Sequence, residues 1–332
     1  MTNIAINGFG RIGRQVLRIG LKNKKLNFLA VNDLTDVKTL AYLFKHDSVH
    51  GEFKGKVGYE KDYLVINGKK IHIFSQKDPQ MLPWKKLKID IVVESTGFFS
   101  TKELASLHLK AGAKKVLVTA PCKGPDKVKT IVMGVNEKTY DKNKDKVISN
   151  ASCTTNCLAP IVKVLNDEYG IEQGLMTTIH SYTNDQVILD LPHKDLRRGR
   201  AAALNLIPTT TGAAVTVTEV IPELAGKLNG MAIRAPTPCG SVTDFVCVLK
   251  KGTSVEKVNN LFKKVAGKEL KNILQYSEEP LVSSDIVGNP YSSIFDSAST
   301  MMIGDKFLKV ISWYDNEWGY SSRIVDLLKI MI

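Results

Sequence analysis

The chain predicts an α/β protein: a doubly wound, mostly parallel sheet in the first half, and an α+β second half with a mixed or antiparallel sheet. Up to about residue 165, short apolar runs alternate with amphipathic helical patterns. That alternation builds a parallel sheet covered by helices on both faces. Beyond it the strands lengthen and crossover helices become fewer. The length of 332 residues exceeds what one core comfortably holds, so two domains are expected.

The first strand is Ile4-Ala5-Ile6. It runs into Asn7-Gly8-Phe9-Gly10-Arg11-Ile12-Gly13, and a helix follows with Ile12, Val16, Leu17 and Leu21 on one side. A second strand, Phe28-Leu29-Ala30-Val31-Asn32, ends at Asp33. This is Gly-x-Gly-x-x-Gly in the order strand, turn, helix, strand, acid. Gly8 permits the tight turn, Gly10 lets a pyrophosphate approach the backbone, and Gly13 lets the helix pack close to the strand. Asp33 is placed to accept hydrogen bonds from ribose hydroxyls and would repel a 2′-phosphate. The segment therefore reads as a Rossmann-type unit for NAD rather than NADP. The alternative is a glycine-rich turn in an unrelated α/β unit.

The alternation continues with a strand over 89–94, ending in Ser95-Thr96-Gly97. Ser100 and Glu103 have capping-box spacing. Leu104, Leu107 and Ala111 supply a helix's apolar side, and Gly112 its stop. Strands over 115–119 and 130–133 follow. In open α/β sheets ligands bind beyond the carboxyl ends of the strands. Gly8, Gly10, Gly13, Asp33, Thr96 and Thr119 lie at such ends, and so does Cys153.

Cys153 follows a short strand, Val147-Ile148, and opens a helix marked by Leu158, Ile161, Val164 and Leu165, with Ser152 as its N-cap. A helix N-terminus favours a thiolate, so a lowered pKa and a nucleophilic role are expected. The competing reading is a small buried hydrophobe.

In the second half, residues 174–180 and 242–249 read as strands. Ser254 caps a helix with Val255, Val258, Leu261, Phe262 and Val265 on one side. A polar stretch with little periodicity separates His180 from Asn205, and loops of that length inside a domain are usually functional or disordered. His180 ends a strand and is the candidate base for Cys153; alone it reads more often as an ordinary structural histidine. Arg197, Arg198, Arg200, Arg234 and Thr209-Thr210-Thr211-Gly212 are candidate phosphate holders, each with an ordinary surface or turn reading beside it.

Composition narrows the classes. With 43% hydrophobic and 24% charged residues the chain is an ordinary globular one, and no apolar run is long enough to cross a bilayer. A strand beginning at Ile4 leaves no room for a signal peptide. Five cysteines without paired spacing fit a reducing cytoplasm, and no His/Cys clustering suggests a metal. The net charge of +13 favours anionic ligands. Its lysines are scattered without interleaved aromatics, so nucleic acid is at most a secondary partner.

Four segments together resemble phosphorylating glyceraldehyde-3-phosphate dehydrogenase of the bacterial, NAD-type kind. They are residues 7–14, Ala151-Ser152-Cys153-Thr154-Thr155-Asn156-Cys157, His180-Ser181-Tyr182-Thr183-Asn184-Asp185-Gln186 and residues 313–321. The resemblance runs in order along nearly the whole chain. It implies Cys153 as the nucleophile that forms a hemithioacetal and then a thioester, with His180 as its acid/base partner. It implies Arg234 and Thr183, with Arg198 nearby, for the substrate phosphate, and Ser152, Thr154, Thr211 and Gly212 for the attacking inorganic phosphate. Arg11, Ile12 and Asp33 would contact the dinucleotide, and Asn316 the nicotinamide carboxamide. It further implies an NAD-binding domain over 1–152 and 316–332, a catalytic and oligomerisation domain over 153–315, and a homotetramer. Leu191-Pro192 resembles NAD-preferring members. The nearest rival, erythrose-4-phosphate dehydrogenase, is disfavoured because Thr183 and Thr211 keep both phosphate sites of the glyceraldehyde-3-phosphate type.

Overall fold

The computed structural model describes residues 1–331; Ile332, the last position of the expected 316–332 segment, lies outside the described residues. Two compact units emerge. One holds Met1–Ile131, Lys138–Ala151 and the chain from Ser321 onward; the other holds Val132–Glu137 and Ser152–Tyr320.

The first unit is built from β1 (Thr2–Asn7), α1 (Arg11–Gly20), β2 (Leu26–Asn32), α2 (Val37–Lys45), β3 (Val57–Glu60), β4 (Tyr63–Ile66), β5 (Lys69–Phe74), β6 (Ile91–Glu94), α3 (Lys102–Ala105), α4 (Leu107–Lys110), β7 (Lys115–Val118), β8 (Lys129–Thr130) and β9 (Val147–Ser149). Its strands order as β3-β4-β5-β2-β1-β6-β7-β9-β8. All neighbours are parallel except β3 with β4 and β4 with β5. The central strands around the glycine turn carry an apolar core: Ile4, Ile6, Phe28, Val31, Val92 and Leu117 are inaccessible to solvent.

Two local expectations fail, and one element lies outside them. The helix expected after Ser100 is capped by Thr101, whose hydroxyl accepts from the Leu104 N–H at 3.2 Å. It breaks at Ser106 into α3 and α4, so the buried stripe moves off Leu104, 37% exposed, onto Ala105 and His108. The strand expected over 130–133 stops at Thr130, because the Val132 N–H bonds the Asn136 side chain instead of a strand. The β3–β5 meander was not anticipated. Its β4–β5 turn is Asn67-Gly68 with φ of 50° and 81°, the two left-handed residues that a tight hairpin needs.

The second unit comprises α5 (Cys153–Tyr169), β10 (Ile171–Ser181), β11 (Ile207–Thr210), α6 (Ala213–Val220), β12 (Leu228–Ala235), β13 (Ser241–Leu249), α7 (Val255–Gly267), β14 (Leu274–Ser277), β15 (Ser293–Ile303), β16 (Phe307–Tyr314) and the start of α8 (Trp318–Ile330). The sheet, β11-β12-β10-β13-β16-β15-β14, is mixed: β10/β12 and β14/β15 are parallel and the other pairs antiparallel. Strand alternation gives it two different faces. One, carrying Met176, Thr178, His180, Phe245 and Cys247, is buried, and α5 packs against β10, β13, β15 and β16. The register sets Leu175, Met231, Met301 and Phe307 on the other face, where all four are exposed. Among the described residues no helix is long and apolar enough to cross a membrane.

Candidate active site

Cys153 is delivered by a short, constrained turn. After β9 ends, Ala151 takes a φ of 55°, a left-handed conformation rare for a residue with a side chain. Ser152 follows in extended geometry and caps α5, its Oγ accepting the Thr155 N–H at 3.1 Å. Cys153 is therefore the first residue of a 17-residue helix. Its Sγ lies 3.4 Å from His180 Nε2.

His180 projects from the buried face of β10. Because β10 and β12 run parallel, Arg234 is its partner in register. Arg234 Nη1 reaches 2.6 Å from His180 Nδ1 and donates to the Ser181 carbonyl at 3.2 Å. The same carbonyl lies 2.6 Å from Nδ1 and accepts its proton in the tautomer that leaves Nε2 as the acceptor facing Cys153. Arg234 Nε is buried with no hydrogen-bond partner among the described residues, leaving a donor for an anion.

Burial and then the Arg234 charge push the His180 imidazole down to about 3, so it is neutral at physiological pH. Burial pushes the Cys153 thiol up, against the opposing pulls of Arg234, the Thr154 hydroxyl and backbone N–H groups. The expectation of a lowered thiol pKa is thus reversed: desolvation of the charged form outweighs the helix terminus. The geometry is a neutral thiol beside a neutral base, suited to passing a proton as sulfur attacks.

The remaining candidates differ in surroundings. Thr154 is buried and its Oγ1 lies 2.8 Å from the Tyr314 hydroxyl, which also sits 2.9 Å from Thr178 Oγ1. Tyr314 packs edge-on to His180 with centroids 6.1 Å apart. The sequence reading gave it no role of its own, although alternation along β16 puts it on the buried face. Arg198 is already engaged, by Thr209 Oγ1 at 2.9 Å and Asp185 at 2.7 Å. Thr183 donates its N–H to Gln186, and Thr211 Oγ1 accepts from the Ala213 N–H just after Gly212, the residue before α6. Asn316 Oδ1 accepts from Ser241 Oγ at 2.9 Å.

In the first unit a pocket of about 450 Å³ is lined by Gly8, Gly10, Asp33, Gln76, Thr96 and Phe98, among others. Arg11, Ile12, Gly13 and Thr119 do not line it. Arg11 turns its guanidinium to Asp47 at 2.8 Å, and Thr119 donates its N–H to the Glu94 carbonyl. The pocket fits a dinucleotide. Gly10 caps α1 without any side-chain bond, so the helix's first N–H groups face whatever approaches. A Cβ on Gly10 would meet nothing within 4 Å, whereas one on Gly13 would sit 2.2 Å from the Gly8 carbonyl oxygen. Asp33 accepts the Phe9 N–H at 2.7 Å, which draws its carboxylate over the glycine turn.

A family model described as the glyceraldehyde 3-phosphate dehydrogenase NAD binding domain matches residues 2–102, and one described as that enzyme's C-terminal domain matches residues 152–316. The chain belongs to the glyceraldehyde 3-phosphate dehydrogenase family. It is 60% identical over 324 residues to glyceraldehyde-3-phosphate dehydrogenase of Geobacillus stearothermophilus, covering 98% of this chain and 96% of that protein. It is 57% identical to the one of Thermotoga maritima, covering 100% and 99% respectively. With that of Borreliella burgdorferi it shares 54% over 99% of each. In this family's terms, the NAD binding domain match contains the glycine turn and Asp33, and the C-terminal match begins at Ser152, the cap that positions Cys153.

Proposed function

We propose that this chain oxidises D-glyceraldehyde 3-phosphate to 1,3-bisphosphoglycerate, with reduction of NAD and uptake of inorganic phosphate. The single observation that carries the reading is the approach of Cys153 to His180 at 3.4 Å, with Arg234 alongside. Sulfur attacks the aldehyde carbon while His180 Nε2 takes the thiol proton and returns it to the new oxyanion. The Cys153 N–H, at the start of α5, would steady that oxygen. His180 then removes the hydroxyl proton of the hemithioacetal as hydride leaves C1, giving a Cys153 thioester. Inorganic phosphate attacks the thioester, and the acyl phosphate departs as the Cys153 sulfur recovers a proton.

NAD, when bound, supplies the hydride acceptor. Gly8, Gly10, Gly13 and the N–H groups of Arg11 and Ile12 would hold its pyrophosphate, Asp33 its ribose, and Thr96 and Thr119 the strand ends beneath it. Asn316 is assigned to the nicotinamide carboxamide. Arg234 and Thr183, with Arg198, are assigned to the substrate phosphate; the unpartnered, buried Nε of Arg234 supports this. Ser152, Thr154, Thr211 and Gly212 are assigned to inorganic phosphate.

The assembly is a homotetramer in this reading. The exposed Leu175, Met231, Met301 and Phe307 face of the second sheet supports it, as do the exposed Ile188, Leu189, Leu191 and Leu196 in the loop after β10. The free thiols of Cys153, Cys157, Cys239 and Cys247 suit the reducing cytoplasm as its compartment.

The test is NADH formation from glyceraldehyde 3-phosphate with and without inorganic phosphate. Sustained turnover that requires phosphate is expected. Turnover without it would mean that water deacylates the enzyme and would remove the Ser152, Thr154 and Thr211 assignment. Turnover only with erythrose 4-phosphate would replace the substrate.

A further inference from the structure

Beneath the dinucleotide pocket lies a line of buried polar side chains that the reaction does not use. Trp84, Glu94 and His108 are all at most 2% exposed. The Trp84 indole N–H donates to His108 Nδ1 at 3.0 Å, and His108 Nε2 lies 3.0 Å from Glu94 Oε2. An indole N–H is a donor only, so Nδ1 must accept, and the neutral ring carries its proton on Nε2, aimed at Glu94. Glu94 Oε2 also accepts from Asn7 Nδ2 at 2.6 Å. Its Oε1 accepts the Thr96 N–H at 2.8 Å and the Thr96 hydroxyl. Asn7 Oδ1 in turn accepts from Asn32 Nδ2 at 2.7 Å, and Asn32 exchanges two bonds with the Gln76 backbone.

The chain segments so joined are the walls of the pocket. Asn7 precedes Gly8, whose φ is +90° and whose missing Cβ would sit 2.7 Å from the Thr96 nitrogen. Asn32 precedes Asp33. Thr96 and Gln76 line the pocket directly, as does Phe99, which packs edge-on to His108 with centroids 6.2 Å apart. One carboxylate therefore fixes the glycine turn against the loop after β6, and His108 fixes that carboxylate.

We propose that His108 is a positioning residue for the dinucleotide, acting through Glu94 with its tautomer set by Trp84. The proposal rests on the reading of this pocket as the NAD site. A mere packing role would tolerate any similar side chain; a positioning role depends on which ring nitrogen is reproduced. Glutamine at 108 can place a donor near the Nε2 position and so keep the bond to Glu94. Asparagine overlays Nδ1 and loses it.

The experiment measures the NAD dissociation constant of the full-length protein and of the His108→Gln and His108→Asn variants, by titration without substrate. His108→Asn is expected to weaken NAD about tenfold, the effect of one buried hydrogen bond lost with its partner left in place. His108→Gln should remain within about threefold of wild type by the same measure. Equal losses in the two variants, or wild-type affinity in His108→Asn, would overturn the proposal. Should either variant fail to fold, the ring ¹⁵N shifts of His108 in the wild-type protein decide. An Nε2–H tautomer is expected; an Nδ1–H tautomer or an imidazolium overturns it. A wild-type protein that binds no NAD would instead remove the pocket reading, and this inference with it.

Discussion

Cys153 and His180 meet at 3.4 Å although one opens a helix and the other ends a strand, 27 residues on. The contact is fixed from both sides, by the Ser152 cap on α5 and by the strand register that sets Arg234 against the far nitrogen of the imidazole. With the thiol pushed up by burial, little thiolate exists before substrate arrives, so the base is indispensable. His180→Asn is therefore expected to lower kcat by about 10²–10⁴-fold, with NAD affinity unchanged. Steady-state kinetics alongside NAD titration check this; a loss under tenfold would show that His180 is not the base.

Cys153→Ser separates chemistry from cofactor binding. The hydroxyl is a far weaker nucleophile in the same place, so NADH formation should be abolished. NAD binding should persist, since the pocket around Gly8 and Asp33 lies in the other unit. Mass spectrometry after mixing wild-type protein with substrate and NAD, without phosphate, should detect an acyl adduct on Cys153 alone. Near-normal turnover of the variant would sink the mechanism.

The depressed imidazole makes a prediction about stability. His180 is held neutral in the folded protein down to about 3, whereas in the unfolded chain it takes a proton below about 6.5. Between those values the unfolded state binds more protons, so stability falls as pH drops through the window and is unaffected above it. Denaturant unfolding at about pH 7 and about pH 5 should show wild type losing up to about 2 kcal/mol more than His180→Asn. An identical pH dependence would mean that His180 is accessible to protons when folded.

What could be read from the sequence was local. The glycine turn with Asp33, and Ser152 capping a helix that opens on Cys153, are signals within a few residues of each other. The neighbours that decide the chemistry are not. Arg234 reaches His180 only because β10 and β12 are parallel and in register, and Tyr314, at the end of β16, joins Thr154 on α5 to Thr178 on β10, both far from it in sequence. The thiol's pKa moves opposite to the sequence expectation for the same reason: a helix terminus is visible in a sequence and burial is not. His108 offered no pattern; Trp84 and Glu94, which satisfy it, lie 24 and 14 residues away. Asn67-Gly68, by contrast, is a hairpin signal legible in the sequence itself.

Asp33 tests cofactor choice. Its carboxylate lines the pocket and is oriented by the Phe9 and Thr35 N–H groups, at 2.7 and 3.0 Å. Asp33→Gly removes the acceptor for ribose hydroxyls and the charge that repels a 2′-phosphate. NAD should weaken about tenfold while NADP improves, read as the ratio of the two kcat/KM values. Unchanged selectivity would show that Asp33 does not face the ribose.

The two glycines flanking the start of α1 should fail in opposite ways when changed to alanine. At Gly13 the new methyl would lie 2.2 Å from the Gly8 carbonyl oxygen and 3.2 Å from Ile6 Cγ2. Backbone on one side and core on the other leave it nowhere to go, so helix and strand must separate. Gly13→Ala should cost about 1–3 kcal/mol of stability, with NAD affinity falling as a consequence. At Gly10 the methyl would meet no protein atom within 4 Å, and the residue is an N-cap in extended geometry open to any side chain. Gly10→Ala should leave the thermal midpoint within about 2 °C of wild type. It should nonetheless weaken NAD severalfold, because the methyl occupies the approach to the helix N-terminus. Thermal unfolding and NAD titration of both variants give the contrast directly. Gly10→Ala with full NAD affinity would mean that no phosphate approaches that backbone.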